Sequence, residues 1–568
     1  MFQMIFIGNR FNQIFCFLLL LINCSTGIGQ EYGQHGMVVS SNKLASQVGI
    51  EILKKGGNAI DASIATAFAL QVTHPEAGNI GGGGFLVFMN AKGQVTTIDF
   101  REKAALAANQ KMFLNDKGQL MQDSNHESLL SVGVPGTVAG LFLAHQKYGT
   151  LAWKDLVQPA VNLAKNGFIM SWGLYRDARE IIALDTSNAF MKTYFNNSKG
   201  QLCKPGELWK QAALAKTLEL IRDHGQDGFY KGFVANEIED YMKKNGGIIC
   251  KNDLERYKAI ERPPVKGSFN DFEIYSMAPP SSGGVALIEM LNMMEFANFN
   301  TIPFNSTPYV HLVAEVMRRA FADRAEYLGD PDFNPDMPIH QLTSKEFAKK
   351  RFATIDLNKA SSSDPLKFGH PYGGENTTHF SVVDKDGNAV SLTYTLEYSY
   401  GLRRGSEKLG FIFNNEMGDF NAVPGITNRF GQIGSSPNLI APEKRMLSSM
   451  TPTIIAKNGR PYLIIGSPGG RTIINTVFQT VLNVLAYNMT LDQAIESMKI
   501  HHQWLPDFIA YEKNLLSPDT KTALESKGHQ LIPVDNLGCL MGILYDEKLK
   551  VYTGVADSSS PDGAAIGY

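Results

Sequence analysis

The chain has 568 residues, enough for about four average domains or for one large α/β unit. Hydrophobic residues make up 44% and charged residues 19%, which excludes wholesale disorder. The 53 basic and 55 acidic side chains give a net charge of −2, no footprint for nucleic acid, and five cysteines exclude a disulfide-stapled mini-domain.

At the N-terminus Arg10 precedes an apolar run, Ile14 to Ile22, and then Asn23-Cys24-Ser25-Thr26-Gly27-Ile28-Gly29. A positive region, a short apolar region and small residues are the order of an export signal. Two readings stay open. A cut after Gly29 makes residues 1–29 a signal peptide, and lipidation of Cys24 makes a lipoprotein whose signal ends before it. Either predicts an exported chain, periplasmic or extracellular, and only the second gives it a membrane anchor, a lipid on Cys24. Beyond Gly29, Cys203, Cys250 and Cys539 allow at most one internal disulfide, so stability has to come from a large core.

Residues 44–55 have a helical period and stop at Gly56-Gly57. Asn58 is the expected cap of a second helix, 59–72, apolar nearly all round and therefore buried. Two strands, 85–89 and 95–100, follow Gly81 to Gly84 and predict a hairpin. Residues 130–260 are mostly amphipathic helix, and 309–328 read as one long helix. From about 355 to 376 the chain is polar and rich in Ser, Pro and Gly, the composition of a mobile segment.

Residues 377–384 and 388–397 alternate apolar and polar around Lys385-Asp386-Gly387, a hairpin signal. A three-residue loop with Gly387 left-handed sets Thr377 opposite Thr395, side chains on one face; a two-residue loop would shift the pairing by one. Thr377 opens a strand straight after the polar segment, the place for a self-cleaving threonine. Its hydroxyl would attack the Asn376 carbonyl, and hydrolysis of the ester would free an α-amine able to act as base near neutral pH. An ordinary strand threonine is the plain alternative. Downstream, a strand at 462–466 runs into Ser467-Pro468-Gly469-Gly470 and a helix from Arg471 to about Tyr487. Such a turn exposes N–H groups to an oxyanion. A tight turn or a phosphate site would use the same residues, although no P-loop pattern is present. His501 and His502 are read as structural, because neighbours on a helix point apart and no carboxylate cluster lies nearby in sequence.

The segments DFRE (99–102), TTHFSVVDKDGNAVSLTYTLE (377–397), NNEMGDF (414–420), LSSMTPT (447–453), GSPGG (466–470) and HHQWLPD (501–507) occur in this order. Together they closely resemble the γ-glutamyltransferases, or glutathione hydrolases, from about Gly36 to Tyr568. The resemblance implies an α+β fold, a four-layer αββα sandwich of the N-terminal-nucleophile hydrolase type. It also implies self-cleavage into a large chain, 30–376, and a small chain, 377–568, that stay together. By the same resemblance Thr377 is the nucleophile, Thr395 its hydrogen-bonded partner, and Gly469 and Gly470 the oxyanion hole. Arg101, helped by Ser448 and Ser449, grips the glutamyl α-carboxylate, while Asp419 and Glu416 surround the α-amine. Two departures stand out. Glu397 occupies a position where many members carry Asn, which bears on acceptor preference. In the lid loop, 421–441, Phe430 replaces a tyrosine of many bacterial members, so no hydroxyl is available there.

The expected activity is cleavage of the γ-glutamyl amide of glutathione and related compounds, with transfer to water, an amino acid or a peptide. No metal or organic cofactor is expected, since the chain supplies nucleophile, base and oxyanion donors. A cephalosporin (glutaryl) acylase of the same fold is the nearest rival, disfavoured by the acidic pair. A non-catalytic exported binding protein for γ-glutamyl peptides is the rival of another class; it would run uncleaved on a denaturing gel.

Overall fold

Strands Thr377–Val383 and Ala389–Thr395 form an antiparallel hairpin in the computed structural model, which describes residues 30–364, 377–427 and 434–568. Thr377 lies opposite Thr395, and Val383 opposite Ala389, the register that a three-residue loop requires. Gly387 has φ +86°, which an L side chain rarely adopts. The turn is organised by the Asp384 carboxylate, which accepts the N–H groups of Asp386 and Asn388 at 3.0 Å. The same carboxylate accepts the Ala59 N–H at 2.9 Å, at the start of helix Ala59–Thr73. The hairpin turn is thereby tied to the helix layer above it.

That helix begins as expected. Asn58 and Asp61 form a reciprocal capping box, worth about 1 kcal/mol for the cap residue. All fifteen helical residues are buried, which explains a sequence apolar on every side.

The hairpin sits in the middle of a seven-stranded antiparallel sheet, between Met37–Ser40 and Gly83–Met89. A second seven-stranded antiparallel sheet, with Thr453–Lys457 and Arg460–Gly466 at its centre, packs against it. Met37, Val39, Val87, Val383, Ile454, Ile464 and Met541 fill the space between the sheets. Helices Lys43–Lys54 and Ala59–Thr73 cover the outer face of the first sheet; Gly283–Met294 and Thr472–Leu485 cover the second. The result is the expected αββα sandwich.

The alternation in the hairpin has a different cause from a wet face. Both faces are buried. The polar one looks at the other sheet and is stitched to it: Ser381 Oγ donates to the Met541 carbonyl and Ser391 Oγ to the Ile465 carbonyl, each at 3.0 Å. The segment before the hairpin also departs from expectation. Ser361 N–H reaches the Glu315 carboxylate at 3.1 Å and Ser363 N–H reaches Asp507 at 2.7 Å, so residues 361–363 are held against the body. Residues 365–376 and the expected export signal, 1–29, lie outside the described residues. Cys203, Cys250 and Cys539 are all free thiols. Among the described residues no helix is long and apolar enough to cross a membrane.

Candidate active site

Thr377 opens its strand and Thr395 closes the paired one, both buried, and Thr377 Oγ1 donates to Thr395 Oγ1 at 3.4 Å. Thr395 is braced from two further directions. Its hydroxyl oxygen accepts the Glu397 N–H at 2.8 Å, and its carbonyl accepts Asn79 Nδ2 at 2.8 Å. Asn79 is itself fixed by Thr137 Oγ1 at 2.8 Å. After Thr395 the chain turns through Glu397, whose φ is +78°. A non-glycine residue held there costs on the order of 1–3 kcal/mol, and the strain places the Glu397 carboxylate in the cleft.

The glycine turn connects strand Arg460–Gly466 to helix Thr472–Leu485. Gly469 has φ +126° and Gly470 +55°, and a Cβ on Gly469 would lie 2.5 Å from Thr472 Oγ1. Thr472 Oγ1 donates to the Gly469 carbonyl at 2.7 Å and so fixes the turn. Among the described residues neither glycine N–H has a protein acceptor. They stand at the positive end of a 14-residue helix, an arrangement able to hold a developing oxyanion. Gly470 lines the cleft together with Thr377, whereas Gly469 borders the adjoining pocket.

The cleft has an empty volume of about 270 Å³. Arg101, Glu397, Glu416, Asp419, Ser448 and Ser449 all line it, from four separate parts of the chain. Asn414 anchors the acidic segment: its side-chain oxygen accepts the Glu416 N–H at 3.1 Å, and its amide reaches the Gly81 and Gly133 carbonyls at 2.8 Å. Asn438 Nδ2 holds the Asp419 carbonyl at 2.7 Å, and its oxygen accepts the Leu447 N–H at 2.9 Å. Phe430, in the stretch expected to form a lid, lies outside the described residues.

Arg101 is fully buried, and its two terminal nitrogens pair with Glu416 and Asp419. The cation and the carboxylates expected to divide a substrate between them are thus paired with each other. Burial would depress the Arg101 pKa, but Glu416, Glu102 and Asp419 together push it up. Burial raises Glu397 strongly, with Asp419 and Glu416 adding to it. Glu416 is pushed up to about 7, burial outweighing the pull of Arg101. One oxygen of each, Glu397 Oε1 and Glu416 Oε2, is buried with no hydrogen-bond partner among the described residues. Oxygens of Glu397, Glu416 and Asp419 lie within 4.8 Å of one another, a cluster able to receive a metal cation or an organic ammonium.

Arg471, Met450 and Ile473 also line the cleft and were not expected there. Arg471 had a legible signal: it is a charged residue directly after the glycine turn, at the start of an otherwise uncharged helix. The histidine pair corrects an expectation. His501 ends a short strand, Ile500–His501, rather than sitting on a helix. Its Nδ1 lies 2.8 Å from the Asn475 amide, while His502 accepts the Trp504 N–H at 3.0 Å and faces Asp507. Burial lowers His501 to about 4 and His502 to about 3, leaving both rings neutral.

The sequence model of the gamma-glutamyltranspeptidase family matches residues 45–567. The glutathione hydrolase proenzyme of Escherichia coli K12 is 44% identical over 543 residues, covering 94% of this chain and 92% of that protein. The crystal structure of Helicobacter pylori gamma-glutamyltranspeptidase is 45% identical, with a TM-score of 0.55 over 57% of this chain and 92% of that one. A cephalosporin acylase from Bacillus halodurans superposes with a TM-score of 0.82 over 96% of this chain and 98% of its own, at 24% identity, a likeness of fold. The chain belongs to the gamma-glutamyltranspeptidase family.

Proposed function

We propose that this protein cleaves the γ-glutamyl amide of glutathione and related compounds through an ester on Thr377, passing the acyl group to water or to an amine acceptor. The observation that carries the reading is the joint presence, in one small cleft, of the registered Thr377–Thr395 pair, Gly470, a guanidinium with two serines, and three carboxylates. A γ-glutamyl head group is a zwitterion, and only a pocket holding both signs of charge matches it. This supports assigning the carboxylate cluster to the substrate ammonium rather than to a metal. The carboxylates of Glu416 and Asp419 would exchange Arg101 for that ammonium, and Arg101 with Ser448 and Ser449 would take the α-carboxylate.

The chemistry follows from these groups. In the precursor the Thr377 hydroxyl attacks the Asn376 carbonyl, the peptide becomes an ester, and water releases chains 30–376 and 377–568. The freed α-amine then takes the proton of Thr377 Oγ as the oxygen attacks the γ-carbonyl. The Gly469 and Gly470 N–H groups hold the oxyanion. The proton goes to the departing amine, and water or an acceptor amine resolves the γ-glutamyl ester. Thr395 keeps the nucleophile in line. No further group is needed for these steps. Residues 1–29, or a lipid on Cys24, would direct the chain to the periplasm or the exterior.

Release of the anilide from a γ-glutamyl anilide tests the reading. The parent protein should release it and Thr377→Ala should not. Equal release by both would remove Thr377 from the chemistry.

A further inference from the structure

Arg324 stands behind the serine wall of the cleft. It lies in the last turn of helix Thr307–Tyr327 and is 5% exposed. Its Nε donates to Ser282 Oγ at 2.7 Å and its Nη2 to Ser449 Oγ at 3.0 Å. Ser282 passes the constraint on, because its hydroxyl and its N–H both donate to the Ser448 carbonyl, at 2.6 and 2.8 Å. Two other arginines of the same helix, Arg318 and Arg319, are paired with Glu315. Among the described residues Arg324 has no carboxylate partner. A buried guanidinium that no carboxylate contacts is costly, and the fold retains this one; burial, Arg471 and Arg101 all disfavour its charge, and the Asp419 carboxylate of the cleft only partly compensates.

Donor chemistry gives the arrangement a direction. A guanidinium has no acceptor, so Ser449 Oγ must accept from Arg324, and its own proton remains to be given. No acceptor for that proton stands among the described residues, and Ser449 lines the cleft. Ser448 is set in the same way, since its Oγ accepts the Met450 N–H at 3.1 Å. Two hydroxyls held as donors, with a guanidinium behind them that serines rather than a carboxylate contact, suit an anionic acceptor.

We propose that Arg324 is a positioning residue for the substrate α-carboxylate. It holds the Ser449 hydroxyl as a donor, sets the Ser448 backbone through Ser282, and supplies a positive charge that the carboxylate offsets. The inference rests on the γ-glutamyl reading of the cleft.

The test compares kcat/KM on two anilides, γ-glutamyl and γ-aminobutyryl, the second lacking only the α-carboxylate. It is run on the parent, Arg324→Gln, Arg324→Lys, Ser449→Ala and the double variant Arg324→Gln/Ser449→Ala, each checked for maturation into two chains. The parent should prefer the γ-glutamyl compound. Arg324→Gln should lose roughly tenfold or more on it, chiefly through KM, while changing the γ-aminobutyryl rate by about twofold or less. Its loss should overlap with that of Ser449→Ala instead of multiplying with it. Equal losses on both substrates, or fully multiplying losses, would overturn the positioning role. If Arg324→Gln fails to mature, Arg324→Lys is read on the same two substrates, and a reduced preference supports the role while an unchanged one overturns it. A parent indifferent to the α-carboxylate overturns the γ-glutamyl reading itself, and the inference with it, before any variant is measured.

Discussion

Thr377 and Thr395 face one another across an antiparallel strand pair, their hydroxyl oxygens 3.4 Å apart. Thr395 is held by Glu397 N–H and, through its carbonyl, by Asn79, so it is a fixed point against which Thr377 is oriented. Replacing Thr395 with valine keeps the shape and the strand propensity but removes the hydroxyl. Loss of that contact should slow both self-cleavage and anilide release by about tenfold to a hundredfold, with Thr395→Ser recovering most of the rate. Gel densitometry over time and steady-state kinetics measure the two effects; unchanged rates in the valine variant would make Thr395 a plain strand residue.

Arg101 carries both a binding and a stability expectation. Arg101→Lys keeps a cation beside Glu416 and Asp419 but loses the bidentate fork, so KM should rise about tenfold while maturation proceeds. Arg101→Gln leaves buried carboxylates without their partner and should cost about 3–5 kcal/mol of stability. Kinetics and thermal unfolding of the two variants separate these effects. Accumulation of uncleaved Arg101→Lys precursor would make the residue structural.

A pH limb follows from Glu416, which is pushed up to about 7 by burial. Below that pH the group is protonated and offers no charge to an ammonium; above it the carboxylate is formed. Thus kcat/KM for a γ-glutamyl anilide should fall as pH drops through about 7. The α-amine that cleavage would free on Thr377 has an unperturbed pKa of about 7.7–8.0 and would give a limb of the same sign. Glu416→Gln decides between them: the limb belongs to Glu416 if it moves or flattens in the variant, and to the amine if it stays.

Much of this site was readable from local patterns, and what was not depends on distant partners. The hairpin and its Thr377–Thr395 register come from a two-residue period and a turn closed by Gly387, all within some twenty residues of chain. The glycine turn is equally local. The Arg101 pairing with Glu416 and Asp419 is not, because more than three hundred residues separate the partners. Ser361 and Ser363 read as mobile by composition, yet Glu315 and Asp507 hold them. Arg324 had a faint signal, ending the buried face formed by Met317, Ala320 and Phe321, but its serine partners lie far away in sequence.

Selection for a free α-amine distinguishes the proposed activity from a glutaryl acylase. An ammonium in this cleft gains charge-assisted hydrogen bonds worth roughly 1.5–3 kcal/mol each, and a glutaryl group leaves the carboxylates unpaired. The parent should therefore favour the γ-glutamyl over the glutaryl anilide by about 10⁴-fold or more, and Asp419→Asn should narrow the gap. Comparable rates on the two substrates in the parent would favour the acylase.

The most direct measurement is the mass of the chains after acid quenching during turnover of a γ-glutamyl anilide, followed by sequencing of the modified peptide. The account predicts two chains, the smaller beginning Thr-Thr-His-Phe, with one glutamyl group attached at Thr377. A single uncleaved chain, a different new N-terminus, or a glutamyl group on any other residue would contradict it.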